Sequence, residues 1–117
     1  MQFCVTVHHI FAETLRIYPI SGQLSRQCTK RYTIPETNVQ IEVGDVVTIP
    51  VYGLHHNAEF YPDPEVFDPD RFTAEVKKTR PHFTYLPFGE GPRQCIGMLS
   101  HSMILDVEFT YLVVYRL

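Results

Sequence analysis

Residues 86–98 read Leu-Pro-Phe-Gly-Glu-Gly-Pro-Arg-Gln-Cys-Ile-Gly-Met. Cys95 stands among glycines, with Arg93 two positions before it. Gly89 and Gly91 let the backbone take conformations closed to other residues and come close to a flat ligand. The pattern places Cys95 where a loop turns into a helix. Amides at a helix N-terminus stabilise a thiolate, the form of cysteine that ligates metal. The Arg93 guanidinium offers a fork of donors suited to a carboxylate. An anionic sulfur, a guanidinium and a glycine floor would suit an iron porphyrin with carboxylate arms. A thiol packed inside a Gly-rich turn is the other reading of the same residues.

Two further groups carry charge at regular spacing. Glu13 and Arg16 are three residues apart in Glu-Thr-Leu-Arg, with Tyr18-Pro19 after them. On a helix that spacing puts both side chains on one face, within salt-bridge reach; a solvated surface pair is the alternative. Arg71 stands in Pro69-Asp70-Arg71-Phe72. Cys4, Cys28 and Cys95 are odd in number, far apart and never Cys-x-x-Cys. They are expected to form neither a disulfide framework nor a zinc finger, and reduced thiols facing a cytosol fit best. The pairs His8-His9 and His55-His56 are poor chelates, because neighbours point in different directions. Surface or packing roles are expected for them.

These residues need elements to hold them. The chain has 117 residues, room for one small domain or part of a larger one. With 44% apolar and 20% charged residues it is an ordinary globular sequence rather than a disordered one. A net charge of -3 supplies no basic footprint for nucleic acid. No apolar run is long enough for a spanning helix, and the N-terminal residues lack the basic start of a signal peptide. Phe3, Val7, Ile10, Phe11, Leu15 and Ile17 fall near helical spacing, which predicts a helix over 1–18, stopped by Pro19. Residues 24–51 alternate turn residues with β-branched runs and predict three or four short strands, with a turn at Gly44-Asp45. From Asn57 to Pro92, six prolines forbid a long helix or a central strand. Dense aromatics there predict an ordered meander, which runs with the cysteine loop over 57–97. Residues 98–117 read as a helix at first, with a strand-like end beyond about residue 109.

The loop pattern Phe88-x-x-Gly91-x-Arg93-x-Cys95-x-Gly97 resembles the haem-binding loop of the cytochrome P-450 monooxygenases. Glu13-x-x-Arg16 and the Arg71 turn resemble two more elements of that family, in the family's order. Residues 12–98 carry the resemblance, and the wording of ETLRIYP, IPVYGLHH and FYPDPEVFDPDRF looks like insect microsomal members. The resemblance implies an α+β piece of a mainly-α fold: an N-terminal helix, a small sheet of short strands, a Pro- and aromatic-rich meander with the Cys loop, and a C-terminal helix. It implies that Cys95 is the proximal thiolate of haem iron. Arg93 and Arg26 would hold the haem propionates. Phe88, Gly89, Gly91, Ile96 and Gly97 would contact or clear the macrocycle, with Phe88 near the sulfur and a side chain at Gly91 or Gly97 colliding with the loop or the haem. Glu13, Arg16 and Arg71 would form the cluster that locks the meander. Ile20, Ser21 and Leu24 fall in a substrate-contacting stretch.

The same resemblance implies a monooxygenase that inserts oxygen from O2 into a small lipophilic substrate, foreign compounds included. Electrons would come from NADPH through a reductase. Lys77, Lys78 and Arg80 are either its docking cations or a solvated loop. Localisation at the endoplasmic reticulum membrane, facing the cytosol, is implied, with membrane association through parts outside this chain. The sequence departs from the family at Ile20, where a second proline is usual, at Asn57-Ala58, where Asp-Pro is usual, and at both ends, 1–11 and after Met98. Family members are several times longer. The distal helix with its acid–alcohol pair and the substrate roof are therefore expected to lie outside residues 1–117, the C-terminal haem-binding part. A non-catalytic chain that at most binds haem or a partner protein is the alternative expectation.

Overall fold

A computed structural model of the chain describes residues 2–97, with side chains described from Val7 onward. The predicted helix over 98–117 lies outside the described residues, as does any helix start behind Cys95.

Helix α1 runs Gln2–Ile17. Its last turn is sealed by the Tyr18 N–H, which donates to Thr14 O at 2.8 Å, and Pro19 then forbids continuation. Glu13, Leu15 and Arg16 are buried on one side while Thr14 is exposed. After α1 come four short strands: β1 Leu24–Gln27, β2 Tyr32–Thr33, β3 Gln40–Ile41 and β4 Val46–Ile49. They form two separate antiparallel ribbons, β1 with β4 and β2 with β3, where one small sheet was expected. The reason is the turn region between them. The Cys28 N–H donates to Asp45 O and the Gly44 N–H to Cys28 O, which close the β1–β4 ribbon on itself. The Glu42 N–H donates to an Asp45 carboxylate oxygen at 2.8 Å and fixes the Gly44-Asp45 turn.

Helix α2, Val51–His55, follows β4 directly. A short 3-10 turn, Pro69–Phe72, and helix α3, Ala74–Thr79, interrupt the meander. Asp68 caps the 3-10 turn by accepting from the Asp70 N–H at 3.1 Å, with Pro69 in the first position where no N–H is needed. Asn57 builds the turn where Asp-Pro is usual in the family. Its side-chain oxygen accepts from the Glu59 N–H at 2.9 Å, as an aspartate's would.

The core lies where α1 meets α2 and the meander. Leu15, Val51, Tyr61, Phe72 and Leu86 are buried together with the polar side chains of Glu13, Arg16, His55 and Thr84. Among the described residues, the largest fully buried side chain is an arginine. This core is therefore organised by charge and hydrogen bonding as much as by apolar area.

Candidate functional site

Glu13 and Arg16 are both fully buried. Arg16 meets Glu13 through two parallel bonds, Nε to Oε2 and Nη2 to Oε1, each 2.8 Å. Its Nη1 donates to His55 O at 2.9 Å, and Nη2 also reaches Val66 O. The guanidinium lies 5.2 Å from the Tyr61 ring centroid. Glu13 Oε1 further accepts from the Asp68 N–H at 3.0 Å, and Arg71 Nε stands 3.6 Å from it. The reading of Glu13 and Arg16 as a surface pair is thus excluded. A buried pair withstands its desolvation cost only when the remaining donors and acceptors are satisfied, and here they are. Arg71 also faces Asp68 at 3.8 Å and donates through Nη2 to Asp63 O. Its Nε is buried without a hydrogen-bond partner. Two carboxylates and two guanidiniums therefore share this knot, which ties α1 to the meander.

Arg80 belongs to the same knot. Its guanidinium lies 4.6 Å from the Tyr61 centroid and 4.8 Å from that of Phe72, and Nη2 donates to Arg71 O. Arg80 is therefore not a free docking cation. Lys77 and Lys78 are exposed on α3, Lys77 with its ammonium 5.8 Å from the Phe72 ring.

One tyrosine ties the meander to α1 and another ties the meander to itself. Tyr85 donates from its hydroxyl to Ala12 O at 2.9 Å, and Tyr61 donates to Thr84 O. Burial raises both phenols above their ordinary range, so both stay protonated as donors.

The cysteine loop begins where this core ends. Leu86 is buried, and its carbonyl accepts from the Gly89 N–H at 3.2 Å. Gly89 and Gly91 take φ of +72° and +84°, the left-handed region in which L side chains are strained. The Cys95 N–H donates to Phe88 O at 3.0 Å, which closes the loop. Phe88 is half-buried beside that link. Cys95 and Arg93 are exposed, and Ile96 is 98% exposed. The thiol is thus presented outward, so the packed-thiol reading does not hold.

A Cβ on Gly91 meets no atom within 4 Å, and one on Gly97 would meet Cys95 Sγ at an ordinary 3.8 Å. Among the described residues no loop atom stands closer than this to either position. At Gly91 the requirement is the backbone angle. Gly89 is buried, and a Cβ there would touch the Leu24 side chain at 3.6 Å.

A cavity of about 580 Å³ opens between the β1–β4 ribbon and the loop. Alternation along β1 puts Leu24 and Arg26 on one face, and both line it. Ile49, which pairs with Leu24 in the ribbon, Leu54, Phe83, Leu86, Glu90 and Gly91 complete the wall. Arg26 is exposed and donates to Ser25 O at 2.8 Å; neither it nor Arg93 has a carboxylate partner among the described residues. Ile20 and Ser21 are exposed near the start of β1 and do not line this cavity, whereas Leu24 does. Phe83, whose residue type gives no local signal of a special role, holds φ +64° at the cavity wall. A bulky residue so placed is strained, and such strain clusters at ligand sites.

A family model for cytochrome P450 matches residues 6–110. This chain belongs to the cytochrome P450 family. It is 51% identical over 104 residues to the probable cytochrome P450 6a13 of Drosophila melanogaster, covering 89% of this chain and 21% of that protein. It is 49% identical over 105 residues to cytochrome P450 9e2 of Blattella germanica, with 89% and 20% covered. The rat protein cytochrome P450 3A2 is 49% identical over 101 residues, with 86% and 20% covered. The chain spans about a fifth of the length of these relatives.

Cytochromes P450 are haem-dependent, with electrons delivered by a reductase that uses NADPH. The residues present fit that cofactor. An exposed cysteine on a left-handed glycine loop offers a single soft sulfur donor, and two cations without carboxylate partners among the described residues stand on the loop and on the facing strand. Such a set would suit an iron held by a thiolate in a macrocycle that carries carboxylates.

Proposed function

We propose that this P450 chain forms the proximal half of the haem site of a monooxygenase acting on small lipophilic substrates, foreign compounds among them. The observation that carries the reading is the outward presentation of Cys95 from a loop held by Gly89 and Gly91 in the left-handed region. Cys95 would ligate the iron as thiolate, and the haem so held supplies O2 activation and oxygen insertion. Arg93 and Arg26 would hold the propionates. Phe88 would shield the sulfur from water. Ile96, 98% exposed, would pack against the macrocycle, and Gly89, Gly91 and Gly97 would keep the approach open. Leu24 faces the cavity and is the best placed of the substrate-side candidates; Ile20 and Ser21 would contact substrate only through elements outside the described residues. Glu13, Arg16 and Arg71 hold the frame and meet no substrate.

An NADPH-dependent reductase would dock near Lys77 and Lys78, and the intact protein would work at the endoplasmic reticulum membrane. No helix among the described residues is long and apolar enough to cross a membrane. The exposure of Cys95 and Ile96 favours one second reading, a chain that by itself at most binds haem or a partner without turnover. The test is spectroscopic, on the full-length protein that carries this segment. Reduced and CO-bound, it is expected to show the red-shifted Soret band of thiolate ligation, and Cys95→Ala to abolish it. Persistence of the band in Cys95→Ala would remove Cys95 from the role.

A further inference from the structure

His55 is fully buried and lies outside the roles assigned above. It ends α2 between the two parts of the site. Its Nδ1 stands 3.2 Å from Arg16 O. A carbonyl only accepts, so Nδ1 carries the proton. That leaves a lone pair on Nε2, which accepts from the Leu86 N–H at 2.9 Å. The His55 carbonyl in turn accepts from Arg16 Nη1. Residue 55 thus grips Arg16 at both its backbone and its guanidinium. Tyr85 stacks on the imidazole with centroids 5.2 Å apart, and Tyr61 meets it edge-on at 6.5 Å. The ring has one orientation and one tautomer.

Leu86 is the first residue of the glycine loop. From it two links lead on: Leu86 O accepts from the Gly89 N–H, and Phe88 O accepts from the Cys95 N–H. A run of hydrogen bonds therefore connects the carbonyl end of α1 to the cysteine, with one side chain in the run. We propose that His55 is a positioning residue for the thiolate loop, its ring pinning the Leu86 N–H, and through it the loop of Cys95, to the last turn of α1. The inference rests on the reading of Cys95 as the haem ligand. Burial lowers the His55 pKa to about 4, so the accepting lone pair is intact at neutral pH. The Leu86 N–H is buried, and without an acceptor it would bear the desolvation penalty of an unpaired donor.

Two amide substitutions separate positioning from packing. The side chain of Asn places an N–H near the Nδ1 position and restores the bond to Arg16 O alone. That of Gln reaches the Nε2 position and offers a carbonyl oxygen to the Leu86 N–H. The full-length haem-loaded protein is reduced and exposed to CO, and the ratio of the red-shifted thiolate Soret band to the unshifted band is read. His55→Gln is expected to keep that ratio within about twofold of wild type, and His55→Asn to lower it about fivefold, the scale of one lost hydrogen bond. His55→Ala should fall with Asn; if Ala does not fold, the Asn and Gln pair decides. Equal ratios in Asn and Gln, or a wild-type ratio in Asn, overturn the proposal. A wild-type protein without the red-shifted band overturns the reading of Cys95 instead, and this inference with it.

Discussion

The buried imidazole of His55 makes the chain sensitive to acid. Burial is the main cause that lowers its pKa from 6.5 to about 4; hydrogen bonding to the Arg16 backbone opposes this, and the charges of Arg16 and His56 add to the lowering. Above pH 6.5 the ring is neutral in both folded and unfolded chains, and stability does not depend on it. Between pH 6.5 and 4 the unfolded chain binds a proton that the folded chain refuses. Stability therefore falls as pH falls through that window, by about 1.4 kcal/mol per unit at the steepest, and levels off below pH 4. Denaturant unfolding of the full-length protein at several pH values is expected to show this slope. His55→Gln, which has no titrating ring, is expected to flatten it. At this scale sequence and structure part company. Adjacent histidines read as surface or packing residues, and the two diverge: His55 is fully buried, while His56 is half-buried and stacks on Tyr52 with centroids 4.0 Å apart. Nothing local distinguishes them. The distinction comes from Arg16 and Leu86, which lie 39 and 31 residues away.

Among the elements, α1 and the cysteine loop were legible in the sequence because their determinants are local. Apolar spacing and Pro19 set the helix. In the loop, the glycines mark positive φ. The strands were legible as segments but not in their partnering, because ribbons of two to four residues are joined by contacts distant in sequence. Helix α2 was missed: Val51, Tyr52 and Gly53 favour strand or turn, and burial of Val51 and His55 overrides that preference. The knot of Glu13, Arg16 and Arg71 was legible only through the family resemblance, since an isolated Glu-x-x-Arg is usually solvated. The loop supplies its own test. Gly91→Ala adds a methyl that meets no described atom, but φ is +84°, so backbone strain alone costs about 1 kcal/mol. Gly22, with open space around it and no left-handed φ, is the control, and Gly22→Ala is expected to be neutral or slightly stabilising. Denaturant midpoints of the two variants in the full-length protein are expected to move in opposite directions, or Gly91 alone to fall.

For the whole molecule, the decisive property is that the cysteine end of its site faces outward. Cys95, Arg93 and Ile96 lie on the surface, and Ile20, Val43, Val46 and Phe83 are each more than half exposed. A ligand site normally encloses most of its ligand, burying roughly 70–90% of the ligand surface. A flat haem laid on this loop would gain contacts from the described residues on one face only. With Cys95 exposed, water has access to the sulfur, which weakens the hold on the cofactor. The isolated 117-residue chain is therefore expected to take up haem weakly and without the red-shifted band on reduction with CO, and to show no monooxygenase turnover when mixed with a reductase and NADPH. Absorbance titration with haem, followed by challenge with a stronger haem acceptor, measures the first; product formation measures the second. Turnover by the isolated chain would mean that one face of the pocket suffices, and would refute the non-catalytic reading. The predicted failure, set beside a full-length protein that holds haem through Cys95, would place the missing free energy of binding in the covering face, because the Glu13–Arg16 knot and the loop are common to both chains.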